Sequence, residues 1–132
     1  MNKQTSCPCG SSAEYPDCCG PYHAGTAIPM TAEALMRSRY SAFVKQEITY
    51  LKDTTWPARQ KSFDEAGYLD RAQNSIWLGL TINDCEDGLE TDIQGTVTFT
   101  ASSMIDGKVH QQSEKSLFKK KAGRWCYVKP IV

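Results

Sequence analysis

The hydrophobic rhythm of the chain changes at Ile76. Before that point apolar residues recur three and four apart, as at Met36, Tyr40 and Phe43, the spacing of one face of an α-helix. Beyond it the period falls to two, that of a strand whose alternate side chains face opposite ways. The helical part predicts three segments. Thr31 caps the first, with Glu33 in its opening turn and Met30 and Leu35 placed as a hydrophobic staple. Its core face, Met36, Tyr40, Phe43 and then Glu47, is narrow and flanked by Arg37, Val44 and Arg39. A second segment, Ile48 to Trp56, is stopped by Pro57. Ser62 and Glu65 make a capping box for a third that runs to about Ala72, with Gly67 weakening it.

Turn signals at Asp87-Gly88 and Asp106-Gly107, and a looser one at Ala122-Gly123, divide the remainder into a meander of four strands. Folding on those turns pairs Ile76 with Phe99, Leu78 with Val97 and Leu80 with Gly95 in the first hairpin. The second pairs Phe99 with Glu114, Val97 with Ser116 and Gly95 with Phe118, and the third pairs Phe118 with Tyr127. One face then collects Ile76, Leu78, Leu80, Ile82, Ile93, Val97, Phe99, Phe118, Trp125 and Tyr127, while Thr96, Thr98, Thr100, Gln111, Ser113 and Lys115 point the other way. The expected fold is therefore α+β, with helices packed on one face of a four-stranded antiparallel curved sheet that encloses a conical pocket.

Ahead of this domain the pattern fails. Cys7, Cys9, Cys18 and Cys19 fall within thirteen residues that are too poor in aliphatic side chains to form a core. Four thiolates on one Zn²⁺ would organise such a stretch, adding about 10–16 kcal/mol of folding free energy in small metallo-modules. The expected organisation is a zinc knuckle in residues 1–25, a short linker from Ala24 to Pro29, and the α+β domain in residues 29–132. Iron in the same sulfur cage is open on geometry alone. His23, four residues after Cys19, is either a reserve ligand or a surface imidazole, and Gly20-Pro21 argues against the helical turn that would align it with Cys19. Cys85 and Cys126, distant in sequence, are expected as half-buried free thiols. A disulfide framework is the rival, but adjacent cysteines bridge only with strain and Met1 to Ser6 lacks the apolar stretch of a secretory leader. No segment approaches the roughly 20 apolar residues of a membrane span. A soluble, cytoplasmic protein is expected.

Cys7-Pro8-Cys9-Gly10-Ser11, Tyr15 and Cys18-Cys19-Gly20 resemble the SEC-C motif, the zinc-binding tail of the SecA translocation motor. That motif usually has glycine after the serine, where this chain has Ser12. The likeness continues through Pro21-Tyr22-His23 and Thr31-Ala32-Glu33-Ala34-Leu35-Met36-Arg37-Ser38-Arg39-Tyr40-Ser41-Ala42-Phe43. With Trp77-Leu78-Gly79-Leu80, His110, Glu114, Ser116, Phe118 and Gly123-Arg124-Trp125, it resembles the uncharacterised YchJ family over nearly the whole chain. That resemblance implies a SEC-C zinc site joined to a nuclear transport factor 2-like, cystatin-like cone. It implies no activity, because the family has none assigned.

Charge narrows the functions open to the domain. Fifteen Lys plus Arg balance fifteen Asp plus Glu, so the basic surplus of most nucleic-acid binders is missing. The Lys119-Lys120-Lys121 run with Arg124 reads as a solvated hairpin end. Glu114 is the most informative residue outside the knuckle, because the register places it on the apolar face opposite Phe99, where a carboxylate needs a partner. The first expectation is an ion pair with Arg37 or Arg39, with Tyr40 nearby; the alternative makes Glu114 a general acid or base helped by His110. Trp77, Trp125 and Tyr127 are expected in the core, with lining of a ligand pocket as the alternative. No nucleophile triad, phosphate-cradling loop or metal-carboxylate cluster is present in the sequence. Two functions remain. The favoured one is a non-catalytic adaptor that docks on a protein or ribonucleoprotein through the knuckle. The other is a small-molecule-binding protein, or an isomerase or dehydratase, using the cone pocket with Glu114. A filled cone with Glu114 clasped by arginine favours the first, and an open cavity with Glu114 unpaired favours the second.

Overall fold

The computed structural model describes residues 6–131. A short 3₁₀ turn, Tyr15–Asp17, and a one-turn helix α1, Gly20–Ala24, form the N-terminal unit. They are followed by α2 (Ala32–Lys45), α3 (Ile48–Asp53), a 3₁₀ turn Pro57–Ser62 and α4 (Glu65–Asn74). The chain then enters four antiparallel strands, β1 (Ile76–Asp87), β2 (Gln94–Ile105), β3 (Lys108–Lys121) and β4 (Arg124–Pro130), in sheet order β1-β2-β3-β4. The predicted class and meander are observed.

Thr31 caps α2, its hydroxyl oxygen accepting from the Ala34 amide at 3.0 Å, an interaction of about 1 kcal/mol. Met30 does not staple the helix. Its side chain is exposed, and its carbonyl instead accepts from the Trp125 indole N–H at 3.1 Å, fixing the entry of α2 against β4. α2 ends at Gln46, in the left-handed region at φ 60°, so Glu47 lies beyond the helix and is exposed. Its buried face is also wider than the spacing predicts. Ala32, Leu35, Met36, Ser38, Arg39, Tyr40, Ser41 and Ala42 are all buried, because the sheet covers one side while α3 and the N-terminal unit cover the other.

α4 is capped by Asp64, whose carboxylate accepts from the Gly67 amide at 3.0 Å, and Ser62 instead donates to the Arg59 carbonyl. The expected capping box is displaced because the helix starts at Glu65, which leaves Ser62 inside the preceding 3₁₀ turn.

The second and third hairpins turn at Asp106-Gly107 and Ala122-Gly123, with φ of 53° and 79° and of 54° and 80°. Phe99 faces Glu114, Val97 faces Ser116, Gly95 faces Phe118, and Phe118 faces Tyr127, as predicted. The first hairpin differs. Asp87 and Gly88 take positive φ, but the chain runs on through residues 88–93 before β2 begins, so Ile82, not Ile76, faces Phe99 and Cys85 faces Val97. The Gly88 carbonyl is held by the Ala32 amide at 2.9 Å, and Leu89 and Asp92 close a turn of their own. Gly88 also presses on Gly95 so closely that a Cβ on Gly95 would lie 2.5 Å from the Gly88 Cα.

A bulge between Trp77 and Gly79 then changes the phase of β1. Trp77, Leu80 and Ile82 pack against the core, while Ile76 and Leu78 face solvent. Ile93 lies outside the strands and is also exposed. The main core joins Leu35, Met36 and Tyr40 of α2 to Val97, Phe99, Phe118 and Trp125 of the sheet, and a separate cluster of Cys7, Cys9 and Cys19 holds the N-terminal unit. Truncating a core residue such as fully buried Leu35 to alanine costs about 2–5 kcal/mol.

Candidate metal centre and cone cavity

The cysteines converge as the spacing predicts. The Cys7 amide donates to the Ala13 carbonyl and the Gly10 amide to the Cys7 carbonyl, folding residues 7–13 into a tight loop that presents Cys7 and Cys9. The Tyr15–Asp17 turn and the start of α1 present Cys18 and Cys19 opposite them. Gly20 is required there, since a Cβ would lie 2.8 Å from the Tyr15 carbonyl oxygen. All four sulfur atoms lie within 4.8 Å of one another, with Cys9 to Cys18 at 3.6 Å and Cys18 to Cys19 at 3.9 Å. A tetrahedral ion with sulfur ligands at about 2.3 Å needs its sulfurs about 3.8 Å apart, so the four thiols fit a closed metal site. The Cys9 thiol is held down to about 4, first by a hydrogen bond from Cys19, which is itself pushed up as the donor. Burial pushes the Cys18 thiol up as well, so the first proton to leave the cluster is that of Cys9. Ser11 Oγ lies 3.1 Å from Cys18 Sγ and Ser41 Oγ lies 3.3 Å from Cys7 Sγ, hydroxyls placed to bond to thiolates.

His23 is neither a ligand nor a free surface imidazole. Gly20–Ala24 does form a helical turn, because Pro21 occupies a first-turn position where its missing N–H has no intrahelical partner. The ring then sits between Tyr15 and α2, its Nδ1 2.6 Å from the Tyr15 hydroxyl and its Nε2 2.9 Å from the Ser38 carbonyl oxygen. With a proton on Nε2 alone, the ring accepts from the tyrosine and donates to the carbonyl. Arg37 completes the dock, donating from Nη1 to the Cys9 carbonyl at 2.7 Å and from Nε to Glu33 at 3.0 Å. Cys126 is buried, Cys85 is exposed, and both are free thiols.

The opposite side of α2 faces a cavity of about 770 Å³. Met36, Arg39, Tyr40 and Phe43 line it from the helix, Tyr68 and Arg71 from α4, and Trp77, Phe99, Glu114 and Tyr127 from the sheet. His110 lines it too, from an exposed position four pairs nearer the Asp106-Gly107 turn than Glu114. Trp77 and Tyr127 therefore face the cavity, while Trp125 is core. The aromatic wall is continuous, with ring centroids 5.8 Å apart for Tyr40 and Trp77, 5.5 Å for Phe43 and Trp77, and 5.6 Å for Phe43 and Tyr68.

The expected ion pair is not formed. Glu114 accepts from Ser116 Oγ at 2.6 Å, Gln112 Nε2 at 3.0 Å and the Tyr127 hydroxyl at 3.4 Å. Arg37 is engaged at the knuckle, and Arg39 donates from Nη1 to the Leu51 carbonyl and Thr54 Oγ1 at 2.8 and 2.7 Å, closing the end of α3. The Arg39 guanidinium also lies 4.6 Å from the centre of the Tyr127 ring. Burial holds its pKa below the usual arginine value, opposed by the surrounding tyrosines. The Tyr127 hydroxyl is pushed up to about 12 by burial first and then by Glu114. Sequence reasoning treated Arg39 only as a partner for Glu114 and left out Tyr68 and Arg71. Their spacing of three on one helix was the available signal.

A four-cysteine knuckle clamped to the first long helix of an NTF2-like cone defines the class of this molecule. The domain described as the YchJ middle NTF2-like domain matches residues 31–130. The chain belongs to the YchJ family, whose relatives carry the name UPF0225. It is 39% identical over 126 residues to the UPF0225 protein of Actinobacillus succinogenes, covering 96% of this chain and 81% of that one. It is 41% identical over 127 residues to that of Haemophilus influenzae, covering 96% and 78%. Two solved structures are similar: a SEC-C motif containing protein from Rhodopseudomonas palustris (TM-score 0.88, 34% identity, 96% of this chain and 98% of that one) and one from Psychrobacter arcticus (TM-score 0.83, 31%, 96% and 82%). Among the described residues no helix is long and apolar enough to cross a membrane.

Proposed function

We propose that this chain is a cytoplasmic small-molecule-binding protein whose working site is the cone cavity, and that the cysteine knuckle is a structural zinc centre bracing one wall of it. One observation carries the reading: a cavity of about 770 Å³ holds Glu114 with no arginine or lysine on its carboxylate among the described residues. Small-molecule pockets commonly occupy about 300–1,000 Å³ and combine apolar walls with a few placed polar groups. The adaptor role expected for the knuckle has less support, since its inner side is taken up by Arg37, Ser41 and the Ser38 carbonyl of α2. Zinc is favoured over iron because four close thiols and no open position describe its commonest structural site. The thiol-rich knuckle suits a reducing compartment.

A fragment library titrated into the isotopically labelled full chain tests the binding role. Saturable shifts centred on Trp77, Phe99 and Tyr127 are expected; shifts confined to the knuckle surface, or none, overturn it. Elemental analysis of protein prepared without added metal is expected to find about one zinc per chain. Chelation should release it and disorder the knuckle while the sheet signals persist, because the two clusters of buried residues are separate.

A further inference from the structure

The cavity contains a cation without a carboxylate. Arg39 is 4% exposed, and no Asp or Glu lies within salt-bridge distance of it among the described residues. Its two described hydrogen bonds both leave from Nη1. A guanidinium has five N–H groups, so Nε and Nη2 carry three with no acceptor among the described residues. Those nitrogens are not sealed in protein, because the one fully buried side-chain nitrogen or oxygen found without a partner among the described residues is the indole nitrogen of Trp77. The open space that Arg39 borders is the cavity. A buried charge with unused donors costs free energy unless something accepts from them.

The rest of the lining says what could. Arg39 and Arg71 outnumber Glu114 among the fully charged side chains, so the cavity carries a positive excess. Glu114 already accepts from Ser116, Gln112 and Tyr127, which leaves it little capacity to receive a ligand. Between the charges stand the rings of Phe43, Tyr68, Trp77 and Tyr127.

We propose that the cavity binds an organic oxyanion with a flat apolar body, its carboxylate or phosphate accepting from Nε and Nη2 of Arg39 and its ring seated on the aromatic wall. This rests on the small-molecule reading of the cavity and names its ligand class. The planar fork of arginine suits two oxygens of one acid group. Because Nη1 is already anchored on α3, the fork is positioned before the ligand arrives.

The test titrates the full chain with benzoate, phenyl phosphate, benzamide and benzylamine, followed by amide and arginine side-chain NMR signals. Benzoate or phenyl phosphate is expected to bind at least tenfold more tightly than benzamide, to move the Arg39 Nε–H signal, and to outcompete benzylamine. Whichever acid binds better identifies the carboxylate or the phosphate as the natural group. Benzamide binding as tightly as either acid, or benzylamine binding best, overturns the oxyanion claim while leaving a small-molecule cavity standing. Binding of none of the four within the cavity counts against both. Arg39→Lys keeps the charge without the fork and should weaken the acid at least fivefold with benzamide unaffected. Should that variant fail to fold, the comparison of acid with amide on the unaltered chain still decides.

Discussion

Arg37 joins Cys9 across twenty-eight residues, through a 2.7 Å hydrogen bond from its guanidinium to the backbone carbonyl between two metal-site thiols and the rest of their loop. The same side chain pairs with Glu33 one helical turn away. The knuckle is thereby held at a set position on α2. Arg37→Met keeps much of the aliphatic stem and removes both interactions. A charged hydrogen bond contributes about 1.5–3 kcal/mol when buried, and partial exposure here reduces the expected loss to about 1 kcal/mol. Denaturant unfolding should show that loss, and a chromogenic chelator should strip metal faster from the variant. Equal rates would mean that the knuckle holds its metal without help from α2.

Of the five non-glycine residues in left-handed backbone among the described residues, two stand in tight turns where other side chains fit better. Ala122 opens the last hairpin turn at φ 54°, and Ser12 stands at φ 74° in the knuckle loop. Asparagine tolerates the first position and glycine the second. Ala122→Asn and Ser12→Gly should each raise stability by about 0.5–1 kcal/mol, read as an increased midpoint of thermal unfolding. A lower midpoint for Ser12→Gly would show that the serine makes a compensating contact.

Glu114→Gln should leave the protein folded, since no cation depends on the carboxylate and the amide oxygen can still accept from Ser116 or Tyr127. The loss is expected at about 1 kcal/mol or less. Its signature lies in Tyr127, which burial and Glu114 together push up to about 12. The folded value exceeds the unfolded one, so the stabilising contribution of the protonated phenol is present below about pH 10 and is lost as pH rises toward 12. Ultraviolet titration should show the part of this shift that Glu114 supplies removed in the variant, with Tyr127 ionising at lower pH. An unchanged curve would separate Tyr127 from Glu114.

Cys85 should be a slow nucleophile despite its exposed position. Partial desolvation of the sulfur first, then Glu33, whose carboxylate lies 3.7 Å from it, pushes the thiol up to about 11 although the residue as a whole is exposed. Its folded value lies above the ordinary one, so the protonated form supports the fold below about pH 9 and that support fades as pH rises toward 11. Alkylation by iodoacetamide, followed by mass spectrometry, should keep accelerating beyond the pH at which a free thiol levels off. Glu33→Gln should move the profile to lower pH, and an ordinary profile in the parent chain would contradict the geometry.

The sequence revealed the elements better than it revealed their edges. Asp106-Gly107 and Ala122-Gly123 carry their hairpins locally, and the register that follows from them is observed. Asp87-Gly88 has the same local chemistry and the same positive φ, but its carbonyl answers to Ala32, a partner more than fifty residues away. A long-range hydrogen bond of that kind leaves no local pattern. The β1 bulge, which turns Trp77 inward and Leu78 outward, is equally silent in the alternation of apolar residues. The thiol cluster was legible because ligand spacing encodes it directly. Glu114 was placed on the correct face, but its partners were not, because Arg39 satisfied itself on the end of α3 and the carboxylate found neutral donors.

Burial of α2 on both sides also determines what can be removed from the protein. Ser38 and Ser41 are fully buried, and each meets the N-terminal unit: the Ser38 carbonyl accepts from His23, and the Ser41 hydroxyl lies against Cys7. Cutting the chain within the linker would strand these groups at a new surface, together with the guanidinium of Arg37. The sequence boundary near residue 30 is therefore not a mechanical seam. A shortened cone that behaves poorly would report an exposed polar flank on its central helix, so the knuckle is better silenced residue by residue than excised.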